Sequence, residues 1–298
     1  MTEQHSEACG SCDRDDCAAG VSRPGETPEQ QQQRQELAAR MCRIGNKVLV
    51  MSGKGGVGKS TVAVNLALAL AREGRVVGIL DVDLHGPSVP QLLGLNGAVP
   101  KGGPRGMQPL EAHGVKVMSV GVLLRSRDEA TVWRGPMKMG VIRQLLAEVE
   151  WGELDDLIID CPPGTGDEPL SAAQLIGDVS GVVIVTTPQE LAIADVRRSI
   201  TFCRQLNVPV LGVVENMSGF ACPKCGEVVD LLSRGGGERL ATEMGVPFLS
   251  RLPFRVEVVQ AGDAGTPYLA QSPSADIDDT FRNLAQAVVG QAARRRAS

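Results

Sequence analysis

The segment Gly53-Lys54-Gly55-Gly56-Val57-Gly58-Lys59-Ser60-Thr61 has the residue types and the spacing to hold a chain of phosphates. It fits G-x-x-x-x-G-K-[ST] and stands where that pattern needs to stand, after an apolar strand and before an apolar helix. The strand is Lys47 to Met51 (KVLVM) and the helix Ser60 to Arg72 (STVAVNLALALAR). Glycines let the loop wrap backbone N–H groups around a phosphate, and the helix N-terminus behind them adds about half a positive charge. Lys59 is placed to reach the β- and γ-phosphates, and the Ser60 hydroxyl to bind Mg²⁺. The ligand expected is ATP with its Mg²⁺.

Lys54 directly follows the first glycine, so the loop carries two lysines where Lys59 already serves the β/γ-phosphates. A second ammonium there can complete the site of a facing subunit, as an arginine finger in trans does, with an effect of about 10³–10⁵ in rate. With that lysine in place, KGGVGKS resembles the deviant phosphate loop of the MinD, ParA and nitrogenase-iron-protein class. The resemblance implies a nucleotide-sandwich homodimer whose first lysine crosses the interface.

Acids stand at two strand ends. Leu157-Ile158-Ile159-Asp160-Cys161-Pro162-Pro163-Gly164 is an apolar strand ending in Asp, then a rigid Pro-Pro and a Gly. Asp160 is suited to hold the Mg²⁺ water shell, and the Gly164 N–H can meet a γ-phosphate as a switch. Arg75 to Asp83 (RVVGILDVD) is a second apolar run, ending in Asp81 and Asp83. It brings both acids to the ligand crevice of an open α/β sheet, unless they merely cap a turn. The class resemblance implies that Asp83 orients the attacking water and leaves Asp81 as a structural or Mg²⁺-linked carboxylate. It also implies that Asn216 pairs with the adenine edge, against the alternative of an ordinary turn asparagine, with Arg251-Leu252-Pro253 walling the base.

The cysteines narrow the reading. Cys222-Pro223-Lys224-Cys225-Gly226 is a metal knuckle in C-x-x-C spacing, with a glycine for the tight turn. It offers two ligands where zinc sites and iron–sulfur clusters usually take four. The missing pair could be Cys9 and Cys12 of the same chain, or the same knuckle of a second subunit. The trans lysine favours the second. Four thiolates on a two-fold axis suit a [4Fe-4S] cluster, with zinc the alternative. With the knuckle placed after Asn216, the chain resembles the Mrp/ApbC family of cytosolic iron–sulfur cluster carriers. GKGGVGKST, DVDLHGPSVP, WRGPM (Trp133 to Met137), DCPPGTGDEPL and VENMSGFACPKCG carry that resemblance. It implies a homodimer that holds a cluster on paired C-x-x-C motifs and passes it to apo iron–sulfur proteins as clients, tuned by ATP. Cys9-x-x-Cys12-x4-Cys17 resembles the four-cysteine N-terminal motif of the eukaryotic branch, with three cysteines present. A possible second cluster there would take its fourth ligand from Cys42, His5 or an exogenous group. Cys42, Cys161 and Cys203 read as packing residues, and the histidines receive no role.

The elements that must position these groups alternate. Strands are expected at Val115 to Val120, Leu157 to Asp160, Gly181 to Thr187 and Val210 to Glu215. Helices are expected at Lys138 to Glu150, Glu168 to Ile176, Ala192 to Leu206, Gly236 to Met244 and Asp279 to Ala293. Such alternation predicts a doubly wound, mainly parallel α/β sheet with helices on both faces. Residues 1–26 read as a flexible cysteine-bearing tail and 27–45 as a helix, opened by a Thr27 capping box and stopped at Gly45. Residues 46–298 form one ATPase domain, with Gly94 to Gly114 as a surface loop.

A net charge of −5 argues against nucleic-acid binding. The N-terminus has no apolar core of a signal peptide, and no apolar run is long enough for a membrane helix. The expected location is the cytoplasm, where eight cysteines are not a disulfide framework. Two other functions share the phosphate loop: a MinD/ParA-like positioning ATPase, and a nitrogenase-iron-protein-like electron-transfer ATPase.

Overall fold

A computed structural model describes residues 25–104, 106–123, 135–271 and 274–296. Cys9, Cys12 and Cys17, with His5, Trp133 and Arg134, lie outside the described residues. The first helix, α1 (Pro28–Met41), opens on a capping box: Gln30 N donates to Thr27 Oγ1 at 3.2 Å, and Thr27 N to Gln30 Oε1 at 3.0 Å. Strand β1 (Ile44–Ser52) follows at once. The expected stop at Gly45 is therefore wrong, because the helix ends at Met41 and Gly45 is already strand. Its reason for being glycine lies across the sheet, since a Cβ there would sit 2.8 Å from the Asp155 carbonyl oxygen.

The remaining elements run α2 (Lys59–Arg72), β2 (Val77–Asp81), α3 (Val89–Leu92), β3 (Gly102–Gly103), β4 (Gly106–Met107), β5 (Leu110–Ala112) and β6 (Val115–Ser119). Then come α4 (Gly135–Ala147), β7 (Leu154–Asp160), α5 (Asp167–Ile176), β8 (Gly181–Thr186), α6 (Glu190–Gln205) and β9 (Val210–Glu215). The last are β10 (Phe220–Ala221), β11 (Val228–Val229), α7 (Gly236–Glu243), β12 (Phe248–Arg251), α8 (Val256–Asp263) and α9 (Ala275–Arg296). The stretch expected as a plain surface loop, Gly94 to Gly114, instead holds a small hairpin and the edge strand β5. His113 and Gly114, at φ 51° and 82°, make the two-residue turn that folds β5 back antiparallel on β6.

Eight strands form one sheet in the order β12-β9-β8-β1-β7-β2-β6-β5, parallel throughout except for β5. Alternation along each strand divides the core into two. Leu49, Met51, Leu157 and Ile159 face α1, α4, α5, α6 and α7, while Val48, Val50 and Ile158 face α2 and α9. Parallel strands need crossovers, and covering helices bury both faces, so the strands read as unbroken apolar runs. From β1 the chain passes to one side for β2 and, after β7, to the other for β8. The crevice at this switch point, outside the strand C-termini, is where such sheets bind ligands. Helix α9 buries Phe281, Leu284 and Val288 against α2, and no described helix is long and apolar enough to cross a membrane.

Candidate functional site

The loop between β1 and α2 turns on two glycines in the left-handed region, Gly56 at φ 78° and Gly58 at φ 80°. Gly58 also has no room for a side chain, because a Cβ would lie 2.3 Å from Asn216 Nδ2. Asn216 donates to the Val57 carbonyl at 2.8 Å and so braces the loop from the end of β9. At the start of α2, Lys59 is 6% exposed, and its ammonium donates to Asp160 Oδ1 at 2.6 Å and to Ser60 Oγ at 3.1 Å. Burial opposes the lysine's charge, but Asp160 outweighs it and holds the pKa above its ordinary value. Lys54 is half-buried and makes no ion pair with any described residue.

Register places the acids. Asp81 at the end of β2 lies beside Asp160 at the end of β7 and beside Ser119 at the end of β6. Asp81 is spent on its own loop: it accepts from Asp83 N at 3.0 Å, Val89 N at 3.2 Å and Ser119 Oγ at 3.1 Å. Burial first, and then Asp160, push its carboxyl up to about 8. Burial also raises Asp160, against the pull of Lys59. Asp160 Oδ2 is buried with no hydrogen-bond partner. Two buried acids, one ammonium and one orphaned carboxylate oxygen beside a serine hydroxyl are a site short of positive charge, which fits a hard divalent cation. Asp83 Oδ1 accepts from His85 N at 3.2 Å and Gly86 N at 3.1 Å, so this carboxylate also shapes its turn. The Gly164 amide donates to the Ser52 carbonyl at 2.8 Å. To meet a phosphate it must leave that bond.

A cavity of about 170 Å³ opens beside the loop, lined among others by Gly58, Thr61, Asn216, Leu252, Pro253 and Phe281. Arg251, expected to wall a base, points elsewhere: its Nε donates to Glu215 at 3.0 Å and its Nη2 to Glu238 at 2.7 Å.

Glu215 is the residue that sequence reasoning passed over as the end of a strand. Its side chain is fully buried and accepts from Ser218 Oγ at 2.6 Å, Gly235 N at 2.9 Å, Gly237 N at 2.6 Å and Arg251. It thereby ties both ends of the segment that carries the cysteines to the sheet. Burial alone would raise this carboxyl, but these donors hold it below its ordinary value. Such a group adds stability above its unfolded pKa of about 4.3 and loses it as pH falls through the lower folded value. Glu215→Gln is expected to cost about 3 kcal/mol at neutral pH, as for a broken buried pair. Its thermal midpoint should change less than wild type's as pH falls below about 4.3, because the titrating group is gone. Parallel pH–midpoint curves for the two proteins would contradict this.

Between those anchors, β10 and β11 form a hairpin with the knuckle at its tip. Phe254 N bonds to the Gly219 carbonyl at 2.8 Å, and the Phe220 and Phe254 rings meet edge to face at 6.0 Å. Gly226, at φ 75°, closes the turn by donating to the Cys222 carbonyl at 2.8 Å. The backbone N–H groups of Lys224 and Cys225, and the Cys225 thiol, hold the Cys222 thiol below its ordinary pKa. Amides aimed at a sulfur favour the thiolate, the form that binds metal. Among the described residues, no third His, Cys, Asp or Glu gathers beside the pair to complete a metal site. Cys161 and Cys203 are buried, and burial pushes the Cys161 thiol well above its ordinary value and the Cys203 thiol up to about 11, as befits packing residues.

Residues 43–289 match a ParA family model described as NUBPL iron-transfer P-loop NTPase. The chain is similar to an iron-sulfur cluster carrier protein of Methanocaldococcus jannaschii, at 45% identity over 284 residues that cover 95% of this chain and 97% of the relative. It is also similar to the human cytosolic Fe-S cluster assembly factor NUBP2, at 45% identity over 247 residues, 81% of this chain and 91% of that one. Among solved structures, a nucleotide-binding protein of Archaeoglobus fulgidus in complex with ADP has a TM-score of 0.72 at 41% identity, covering 81% of this chain and 94% of that one. The cell division ATPase MinD of Pyrococcus furiosus shares the fold, with a TM-score of 0.60 at 22% identity over 83% of this chain and 99% of that one.

Proposed function

The chain belongs to the NUBPL iron-transfer P-loop NTPase family, and on that premise we propose an ATP-hydrolysing carrier that assembles an iron–sulfur cluster between two copies of itself and delivers it to apoproteins. One observation carries the coupling of the two halves of this activity. Glu215 and Asn216 are consecutive, the first holding both ends of the cysteine hairpin and the second gripping the phosphate loop. Whatever moves the loop works on the base of the hairpin.

In this reading Lys59 exchanges Asp160 for the β- and γ-phosphates. Asp160 and Ser60 hold Mg²⁺, which neutralises phosphate charge when bound. Asn216, Leu252 and Pro253 frame the adenine. Gly164 releases Ser52 to meet the γ-phosphate, Asp83 orients the attacking water, and Lys54 completes the site of the partner subunit. Cys222 and Cys225 supply two thiolates, and the same pair on the partner subunit supplies two more, as a shared [4Fe-4S] cargo requires. The protein acts in the cytoplasm. A negative net charge disfavours nucleic acid. The buried apolar stripe of α9 is not free for a membrane, which weighs against a positioning ATPase.

Anaerobic purification followed by iron, sulfide and zinc analysis tests the proposal. A brown dimer with iron and sulfide in equal amounts supports it, and zinc without sulfide overturns it. The acids separate by their metal dependence. Asp83→Asn is expected to bind ATP–Mg²⁺ but hydrolyse it at least about 10²-fold more slowly, the usual loss for a proton-handling or water-orienting group. Asp160→Asn should shift the Mg²⁺ titration itself. Equal Mg²⁺ titrations for the two variants would remove the distinction.

A further inference from the structure

Helix α4 buries Ile142, Leu145 and Leu146 in the core. Lys138 lies one turn before Ile142 on the same stripe, where helical periodicity calls for an apolar side chain. Its ammonium reaches the loop after β2 and the first turn of α5. There it donates to Glu168 Oε1 at 2.6 Å and lies 3.0 Å from His85 Nε2. Lys138 and Glu168 are 17% and 9% exposed, so this pair is largely shielded from water. His85 Nε2 is also 3.5 Å from Glu168 Oε1. Burial would raise the Glu168 carboxyl, but Lys138 holds it below its ordinary value.

Both segments matter for hydrolysis in the reading above. His85 follows Asp83, and the amides of His85 and Gly86 hold the Asp83 carboxylate. Glu168 stands in the first turn of α5, just after Gly164. We propose that Lys138 is a positioning residue for nucleotide hydrolysis, a bridge that fixes the loop of Asp83 to the start of α5. The inference rests on the reading of Asp83 and Gly164 given above. Without the ammonium, the shielded carboxylate on α5 keeps only the exposed His85 ring, 3.5 Å away, as a side-chain ion partner, and the loop of Asp83 loses its only side-chain hydrogen bond to α4 among the described residues. Neither the lysine nor the acid needs to touch the nucleotide.

The test compares Lys138→Met, Lys138→Arg, Glu168→Gln and the Lys138→Met/Glu168→Gln double variant by steady-state ATP hydrolysis and by binding of a fluorescent ADP. Lys138→Met is expected to lower kcat about tenfold to a hundredfold, the usual scale for a supporting residue, with little change in ADP affinity. Lys138→Arg, which keeps the charge, should retain more activity than the methionine variant. The double variant should be no worse than Lys138→Met, because the two residues act as one unit. Hydrogen exchange of the His85 and Gly86 amides should quicken in Lys138→Met. Wild-type kcat in Lys138→Met, or losses that multiply in the double variant, would overturn the bridge. A wild-type protein that hydrolyses no ATP would instead overturn the reading on which the bridge rests.

Discussion

Replacing either Cys222 or Cys225 by alanine is expected to abolish cluster binding and leave nucleotide binding intact. A knuckle with one thiolate cannot hold its share of a cube, whereas every contact to the phosphate loop comes from other segments. The hairpin itself should survive. Its fold rests on Glu215, on the Phe220–Phe254 contact and on the turn at Gly226, none of which uses a cysteine side chain. The loss should be about one cluster per dimer, since a two-fold axis pairs the knuckles. Mixed dimers of wild-type and variant chains should lose the cluster too. Deleting residues 1–26, with Cys9, Cys12 and Cys17, is expected to leave this shared cluster in place. Iron and sulfide counts on the anaerobic proteins decide the matter. If the deletion removes the cluster while the knuckle binds metal in a monomer, then Cys9 and Cys12 complete a site within one chain, and the bridging arrangement fails.

Lys59→Ala is expected to weaken ATP binding by about a hundredfold or more, the scale of lost charge-assisted hydrogen bonds to a polyphosphate. The same change also leaves the buried Asp160 without its ammonium. Breaking a buried pair from one side costs about 3–5 kcal/mol, but Asp160 can take up a proton, so the destabilisation should shrink as pH falls. Lys54→Ala should behave in the opposite way. Among the described residues it has no ion pair to lose, so folding and monomer binding of ATP should be unchanged, while hydrolysis falls about 10³-fold or more and nucleotide-linked dimerisation is lost. Calorimetric titration with ATP, sedimentation with and without nucleotide, and phosphate release distinguish the two lysines. Native hydrolysis by Lys54→Ala would end the trans-acting assignment.

Patterns confined to a few neighbouring residues determined much of this protein from its sequence alone. Gly53 to Thr61, a strand before it and a helix after it announce the phosphate loop. Cys222 to Gly226 announce the knuckle, and the alternation of apolar runs announces a sheet covered on both faces. Each is legible because turn chemistry, the helical period and ligand spacing act over a turn or two of chain. Where a local rule met a distant constraint it failed, as at Gly45, which is glycine for the Asp155 carbonyl across the sheet rather than for a helix end. The pairings that give the site its character were decided by tertiary structure. Asp81 meets Asp160, and Lys59 meets Asp160, because parallel strands joined by crossovers place β7 between β1 and β2. Glu215 becomes an anchor only when β12 brings Arg251 beside it and α7 turns its first amides back toward the strand end. Lys138 looked like the start of a helix, and it took the packing of α4 against α5 to set its ammonium between His85 and Glu168. Strand order and helix docking are fixed by burial of the whole core, a sum over residues far apart in the chain, and so no short stretch of sequence contains them.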